Sequence, residues 1–139
     1  MFRPVAEQTK TWFTVDDGET YFADNVSNIP PFVKNGKTAY GCEVFSCDGG
    51  KSRFVGFLVR YRAGAAAEFK TLGPPPQLNS VGAQDYYDRR GAIELRTREV
   101  KRPLTGDAGW TLARSSPEGP AITHVKCPDG NGVVESALP

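Results

Sequence analysis

Apolar positions along this chain fall in short runs punctuated by turn residues, the pattern of a strand-rich protein. Trp12-Phe13-Thr14-Val15 and Thr20-Tyr21-Phe22 flank Asp16-Asp17-Gly18. Asp-Gly between two such runs predicts a hairpin, because its left-handed turn matches the twist of the strands. A loop follows through Ile29-Pro30-Pro31-Phe32, whose prolines remove donors and exclude a central strand, and Asn35-Gly36 marks another turn. The clearest hairpin is next: Thr38 to Cys47 forms one arm and Ser52 to Arg62 the other, joined by Asp48-Gly49-Gly50-Lys51. Its second arm, Phe54 to Tyr61, is nearly all apolar, which suits a strand covered on both faces, with Phe54, Phe57 and Val59 in the core.

Ala65-Ala66-Ala67-Glu68-Phe69-Lys70 has the best helix propensity in the chain. Gly73 stands where a helix would end, and Pro74-Pro75-Pro76 forbids continuation. Residues 77–91 read as a polar connection with a helical turn at Asp85-Tyr86-Tyr87-Asp88. Ala92 to Lys101 then alternates, Ile93, Leu95 and Thr97 on one side and Glu94, Arg96 and Arg98 on the other. That pattern predicts a half-exposed strand ended by Pro103. Trp110 to Ala113 and Ala121 to Val125 read as two shorter strands around Ser115-Ser116-Pro117-Glu118-Gly119. Residues 1–10 form an irregular arm, and 11–139 a single β-rich domain. The predicted class is mainly β, with α+β as the neighbouring option: one antiparallel sheet or small barrel carrying one or two short helices.

A length of 139 residues fits one domain able to fold without a covalent staple. Eight Phe, five Tyr and two Trp against a single Met predict an aromatic core. With 17 Lys plus Arg and 16 Asp plus Glu, the net charge of +1 creates no field that would gather nucleic acid or an anionic membrane. No run of about 20 apolar residues crosses a bilayer, and no signal peptide is present. The start, Met1-Phe2-Arg3-Pro4, fits either a natural cytosolic N-terminus or a cut just after a membrane anchor.

Three cysteines carry the sharpest chemistry. Phe45-Ser46-Cys47-Asp48-Gly49-Gly50 and Val125-Lys126-Cys127-Pro128-Asp129-Gly130 share one local plan, a strand, a cysteine and a turn, so Cys47 and Cys127 are the candidate disulfide. Cys42 and Cys47 are five apart in a strand and face opposite ways. Three buried free thiols, or a zinc site from Cys42, Cys47, His124 and Cys127, are the alternatives. Neither cysteine pair shows Cys-x-x-Cys spacing, and His124 and Cys127, three apart in a strand, point oppositely. The same geometry weighs against a Cys127 nucleophile with His124 as base. Carboxylates at Asp16, Asp17 and Glu19, and at Asp85 and Asp88, are ordinary for solvated turns. Asp48-Gly49-Gly50-Lys51-Ser52 lacks the first glycine and the following helix of a phosphate loop. Residues 89–102 are basic, with Arg89, Arg90, Arg96 and Arg98 beside Tyr86 and Tyr87. A basic strand there suits a partner surface, single-stranded nucleic acid, or simply an edge protected by charge.

The order of features also resembles a family. Val15-Asp16-Asp17-Gly18, Ile29-Pro30-Pro31-Phe32, Gly36-Lys37-Thr38-Ala39, Val44-Phe45-Ser46-Cys47, Phe54-Val55-Gly56-Phe57-Leu58 and Cys127-Pro128-Asp129-Gly130 resemble uncharacterised small exported bacterial proteins. In these, one N-terminal membrane segment carries a compact β-rich domain outside the cytoplasm. The match spans about residues 11–131. It implies an extracytoplasmic setting and favours the Cys47–Cys127 pair, while implying no activity and no site residues.

The expectation is a non-enzymatic exported domain that binds another protein or its own copies. It needs no cofactor, no small-molecule substrate is evident, and membrane contact is only through an anchor outside this sequence. A cytosolic single-stranded nucleic-acid binder using residues 89–102, and a small zinc-binding or thiol-reactive protein, stay open beside it.

Overall fold

The structure is a computed structural model that describes residues 9–130 and 132–139. The predicted N-terminal arm lies mostly outside the described residues, and Lys10 already begins a strand. Among the described residues eight strands form one antiparallel sheet: β1 (Lys10–Thr14), β2 (Phe22–Asn25), β3 (Phe32–Lys34), β4 (Lys37–Ser46), β5 (Phe54–Tyr61), β6 (Arg98–Lys101), β7 (Thr111–Leu112) and β8 (Glu135–Ser136). The main path runs β2-β1-β4-β5-β6-β7, with β3 and β8 also on β4. The sheet stays open rather than closing into a barrel. Among the described residues three helices accompany it, one more than the upper expectation: α1 (Ala65–Lys70), α2 (Ala83–Thr97) and α3 (Glu118–Thr123). Among the described residues no helix is long and apolar enough to cross a membrane.

The turns expected from Gly and Asn form where the sequence places them. Asn35 and Gly36 both adopt left-handed backbone, φ 51° and 77°, between the paired residues Lys34 and Lys37. The β1–β2 connection is longer than a two-residue turn, because Phe13 pairs with Phe22. Thr14 Oγ1 organises it, accepting the Gly18 amide at 3.0 Å and donating to Asp16 Oδ1 at 2.8 Å.

The central hairpin is as predicted, with Cys42 opposite Leu58 and Gly41 opposite Val59. Phe57 and Val59 are buried with Val100, Ala113 and Ile122 on one face, and Phe54 is half-buried. Cys42, Val44 and Leu58 lie on the other face, under Trp12, Tyr21, Tyr40 and Trp110. The register slips between Glu43 and Val44, so that Gly56 is an extra residue on β5. Its position tolerates no side chain, since a Cβ there would stand 2.5 Å from the Phe45 ring and 2.7 Å from Val125 Cγ2. The segment after α3 therefore crosses directly over the bulge.

Two of the expected strands are wholly or partly helical. Residues 92–97 are helical, and only Arg98–Lys101 is strand. The burial of Tyr86, Ile93 and Thr97 follows a helical period, whereas Leu95, 47% exposed, breaks the alternation that suggested a strand. Thr97 Oγ1 donates to the Ile93 carbonyl at 2.7 Å and closes the last turn. Residues 121–123 are likewise helical, in α3. Ser116 Oγ accepts the Gly119 amide at 3.0 Å, and Pro117 supplies a helix-ready φ of −65°. Gly119 is required for docking, because its Cβ would lie 2.2 Å from the Leu112 carbonyl oxygen.

Candidate functional site

Along β4, Cys42, Val44 and Ser46 face one way, while Glu43, Phe45 and the following Cys47 face the other. Ser46 Oγ accepts the Gly50 amide at 2.8 Å and donates to Asp48, which accepts the Ser52 amide at 2.8 Å. This network fixes the turn that carries Cys47. Cys47 and Cys127 are disulfide-bonded, with Cα atoms 5.9 Å apart. Cys127 does not end a strand, contrary to expectation. It arrives from the segment leaving α3 and opens its own turn, its carbonyl accepting the Gly130 amide at 2.9 Å.

Cys42 is free and buried on the opposite face. Burial, and then the neighbouring Glu43 carboxylate, push its thiol up to about 12. A thiol so protonated is a poor nucleophile and a poor ligand. The zinc set does not assemble: two of its sulfurs are bonded to each other, Cys42 lies across the sheet, and His124 is exposed. Among the described residues no three His, Cys, Asp or Glu side chains gather as metal ligands.

The basic residues expected on one strand are dispersed. Arg89 and Arg90 lie on α2, paired with Asp85 at 3.9 Å and Glu94 at 3.6 Å, and the Arg90 guanidinium sits 5.7 Å from the Phe69 ring centre. Arg96, at the end of α2, bonds Glu68 of α1 at 2.8 Å. Arg98 points inward from β6, 3.8 Å from Glu43, and its Nε is buried without a hydrogen-bond partner. Tyr86 is buried and meets Tyr87 edge-on, so the two offer no paired platform for stacking bases. Arg98 and Arg90, with Asn28, Glu43 and Tyr61, line a cleft of about 250 Å³. Burial raises the Glu43 carboxyl there, against the lowering effect of Arg98.

This dispersal separates two residues the sequence placed together as solvent-facing. Arg96→Glu should shift stability by no more than about 0.5 kcal/mol, as for other surface changes. Arg98→Glu should cost about 1–3 kcal/mol, because it sets a second carboxylate against Glu43 in a half-buried site. Urea melts of the two variants check this, and equal midpoints would contradict the assigned orientations.

An ion pair, buried at Lys101 and partly exposed at Asp17, joins the β1–β2 loop to the end of β6. Lys101 is 2% exposed, and its ammonium bonds the Asp17 carboxylate, the Arg102 carbonyl at 3.1 Å and Thr105 Oγ1 at 3.1 Å. Trp110 lies beside it, 5.8 Å from ring centre to Nζ. Burial alone would raise the Asp17 carboxyl, but Lys101 and the Gly106 amide hold it below its ordinary range. The sequence showed Asp17 only as a turn residue. Lys101 sits two positions before Pro103 with nothing local to mark a partner 84 residues away.

A concave surface lies between β5 and α3. One cleft of about 520 Å³ is lined by Phe54, Val55 and Gly56 together with Arg102, His124 and Lys126. A second, of about 570 Å³, continues past Arg102 toward Trp110, Thr111 and Glu118. Both are lined in part by Arg102, Ala121 and Ile122, so the two clefts adjoin as the two parts of a groove. Their juxtaposition was not legible in the sequence, because Arg102, His124 and Lys126 come together only once α3 has turned the chain back over β5. No protein-family model, curated protein or solved structure matches this chain.

Proposed function

We propose that this chain is a non-catalytic interaction domain of an extracytoplasmic protein, working by contact with another protein or with its own copies. The Cys47–Cys127 bond carries the reading. Disulfides form and persist in oxidising compartments, and reduced cytosolic proteins rarely hold one. A chain of this length folds on its core alone, so the staple suits a setting where lost stability is not repaired. The resemblance to small exported bacterial proteins points the same way. Groups able to do covalent chemistry stand apart: Cys42 is buried and protonated, and His124 is exposed on the groove rim. The long groove, in contrast, is the kind of surface that receives a chain segment.

Protein isolated from its own cells without reductant should be alkylated under denaturing conditions before and after reduction. One reactive thiol before and three after is the expected count. Three before reduction would overturn the extracytoplasmic reading.

A further inference from the structure

The β5 strand pairs with β4 from Phe54 to Val59, with Gly56 bulged out, and with β6 on its other side only in part. β6 covers Leu58 to Tyr61 and no more, because Lys101 pairs with Leu58 and Pro103 then turns the chain away. The Leu104 amide bonds the Asp17 carbonyl at 2.9 Å and fixes that departure. Among the described residues no strand pairs with Phe54 to Phe57 on this side. Antiparallel strands direct their N–H and C=O groups alternately to either neighbour, so part of this stretch presents backbone donors and acceptors outward.

The edge lies in the groove described above, not on a flat surface. Residues 124–126 cross over Gly56 on one face, and Ala121 and Ile122 of α3 line the cleft beside them. The titratable side chains lining the cleft at this edge, Arg102, His124 and Lys126, are all basic types, in a chain whose total charge is only +1. Beyond Arg102 the groove becomes mainly apolar around Trp110 and Ile122, with Glu118 as the acidic side chain on its lining, so the acidic part of the occupant belongs at the Arg102–Lys126 end.

We propose that the free edge of β5 at Phe54–Phe57 is a docking strand for an extended acidic segment of a partner protein. This deepens the interaction-domain reading and rests on it. The incoming strand adds to the sheet through backbone hydrogen bonds, its carboxylates meet Arg102 and Lys126, and an apolar residue at one end seats beside Trp110.

The test uses a fluorescein-labelled acetyl-Val-Glu-Val-Glu-Val-Glu-Trp amide, with two controls: the same peptide with Lys for Glu, and one with alternate amides N-methylated. Anisotropy titration of the whole chain at low salt should show saturable binding of the acidic peptide, weakened by added salt. Amide resonances of Phe54 to Phe57 should shift. The Lys peptide and the methylated peptide should each bind at least about tenfold more weakly. Arg102→Glu with Lys126→Glu, both exposed positions, should have the same effect while the melting temperature stays near that of the parent. Three results would overturn the proposal: no binding up to about 1 mM, shifts confined to other strands, or binding indifferent to N-methylation. Should the peptide fail while the thiol count gives one and then three, the docking edge falls and the extracytoplasmic reading stands. A count of three before reduction removes that reading whatever the peptide does.

Discussion

Replacing Cys47 and Cys127 together with Ala should lower the unfolding free energy by about 4.5 kcal/mol in the chain-entropy treatment. The bond closes a separation of 80 residues, and long loops restrict the unfolded chain most. Total stability for a domain of this kind is about 5–15 kcal/mol, so the loss takes a large share of it. The double replacement is needed, because a single one would leave a thiol free to pair with Cys42. In guanidinium titrations the midpoint should fall and the slope should rise, since an unfolded chain without the bond exposes more surface. A loss below about 1 kcal/mol would mean that local packing of residues 124–126 over Gly56, and not the covalent link, holds this corner.

Asp17→Ala should cost about 3–5 kcal/mol, the penalty for leaving a buried charge without its partner. The reason is Lys101, whose ammonium is nearly inaccessible to water and would keep only the Arg102 carbonyl and Thr105 hydroxyl. Adding Lys101→Met should return most of that loss, because an apolar side chain of similar length lies comfortably beside Leu58 and Trp110. A double variant as unstable as Asp17→Ala alone would show that the carboxylate acts through the Gly106 amide instead. The pH dependence has a definite sign. The folded-state value of Asp17 is depressed below 3.8, so its contribution is fully present above the unfolded value. It is lost as pH falls through the folded value, that is, below about pH 4. The Asp17→Ala variant should lack that part of the parent's acid sensitivity.

Much of the sheet was legible because its signals are local. Asn35-Gly36 and Asp48-Gly49-Gly50 mark turns whatever lies elsewhere, and the apolar run of β5 admits few other readings. The failures came where two periods coincide. Ile93, Leu95 and Thr97 satisfy strand alternation, yet Ile93 and Thr97 are also one helical turn apart, and the buried Tyr86 shows which period governs. Over Ala121 to Val125 the β-branched residues outweighed Ser116-Pro117-Glu118, a helix-start signature standing in plain view. Gly56 inside an apolar run was likewise a readable sign of a bulge. The disulfide was legible because both cysteines adjoin glycine-bearing turns. The groove and the Lys101 pair were not, since each depends on residues brought together only by the closed fold.

Cys42 gives the chain a kinetic hazard. Three thiols allow three pairings, and in an unfolded chain Cys42 meets Cys47, five residues away, far more often than Cys47 meets Cys127. Oxidation that outruns folding therefore traps the nearest pair, which the finished sheet forbids by setting the two sulfurs on opposite faces. Once β4 and β5 have zipped, Cys42 is buried and its high proton affinity takes it out of thiol exchange. The sheet thus rewards one order of events, strands first and the correct bond second, since only the formed strands hold Cys42 away from Cys47.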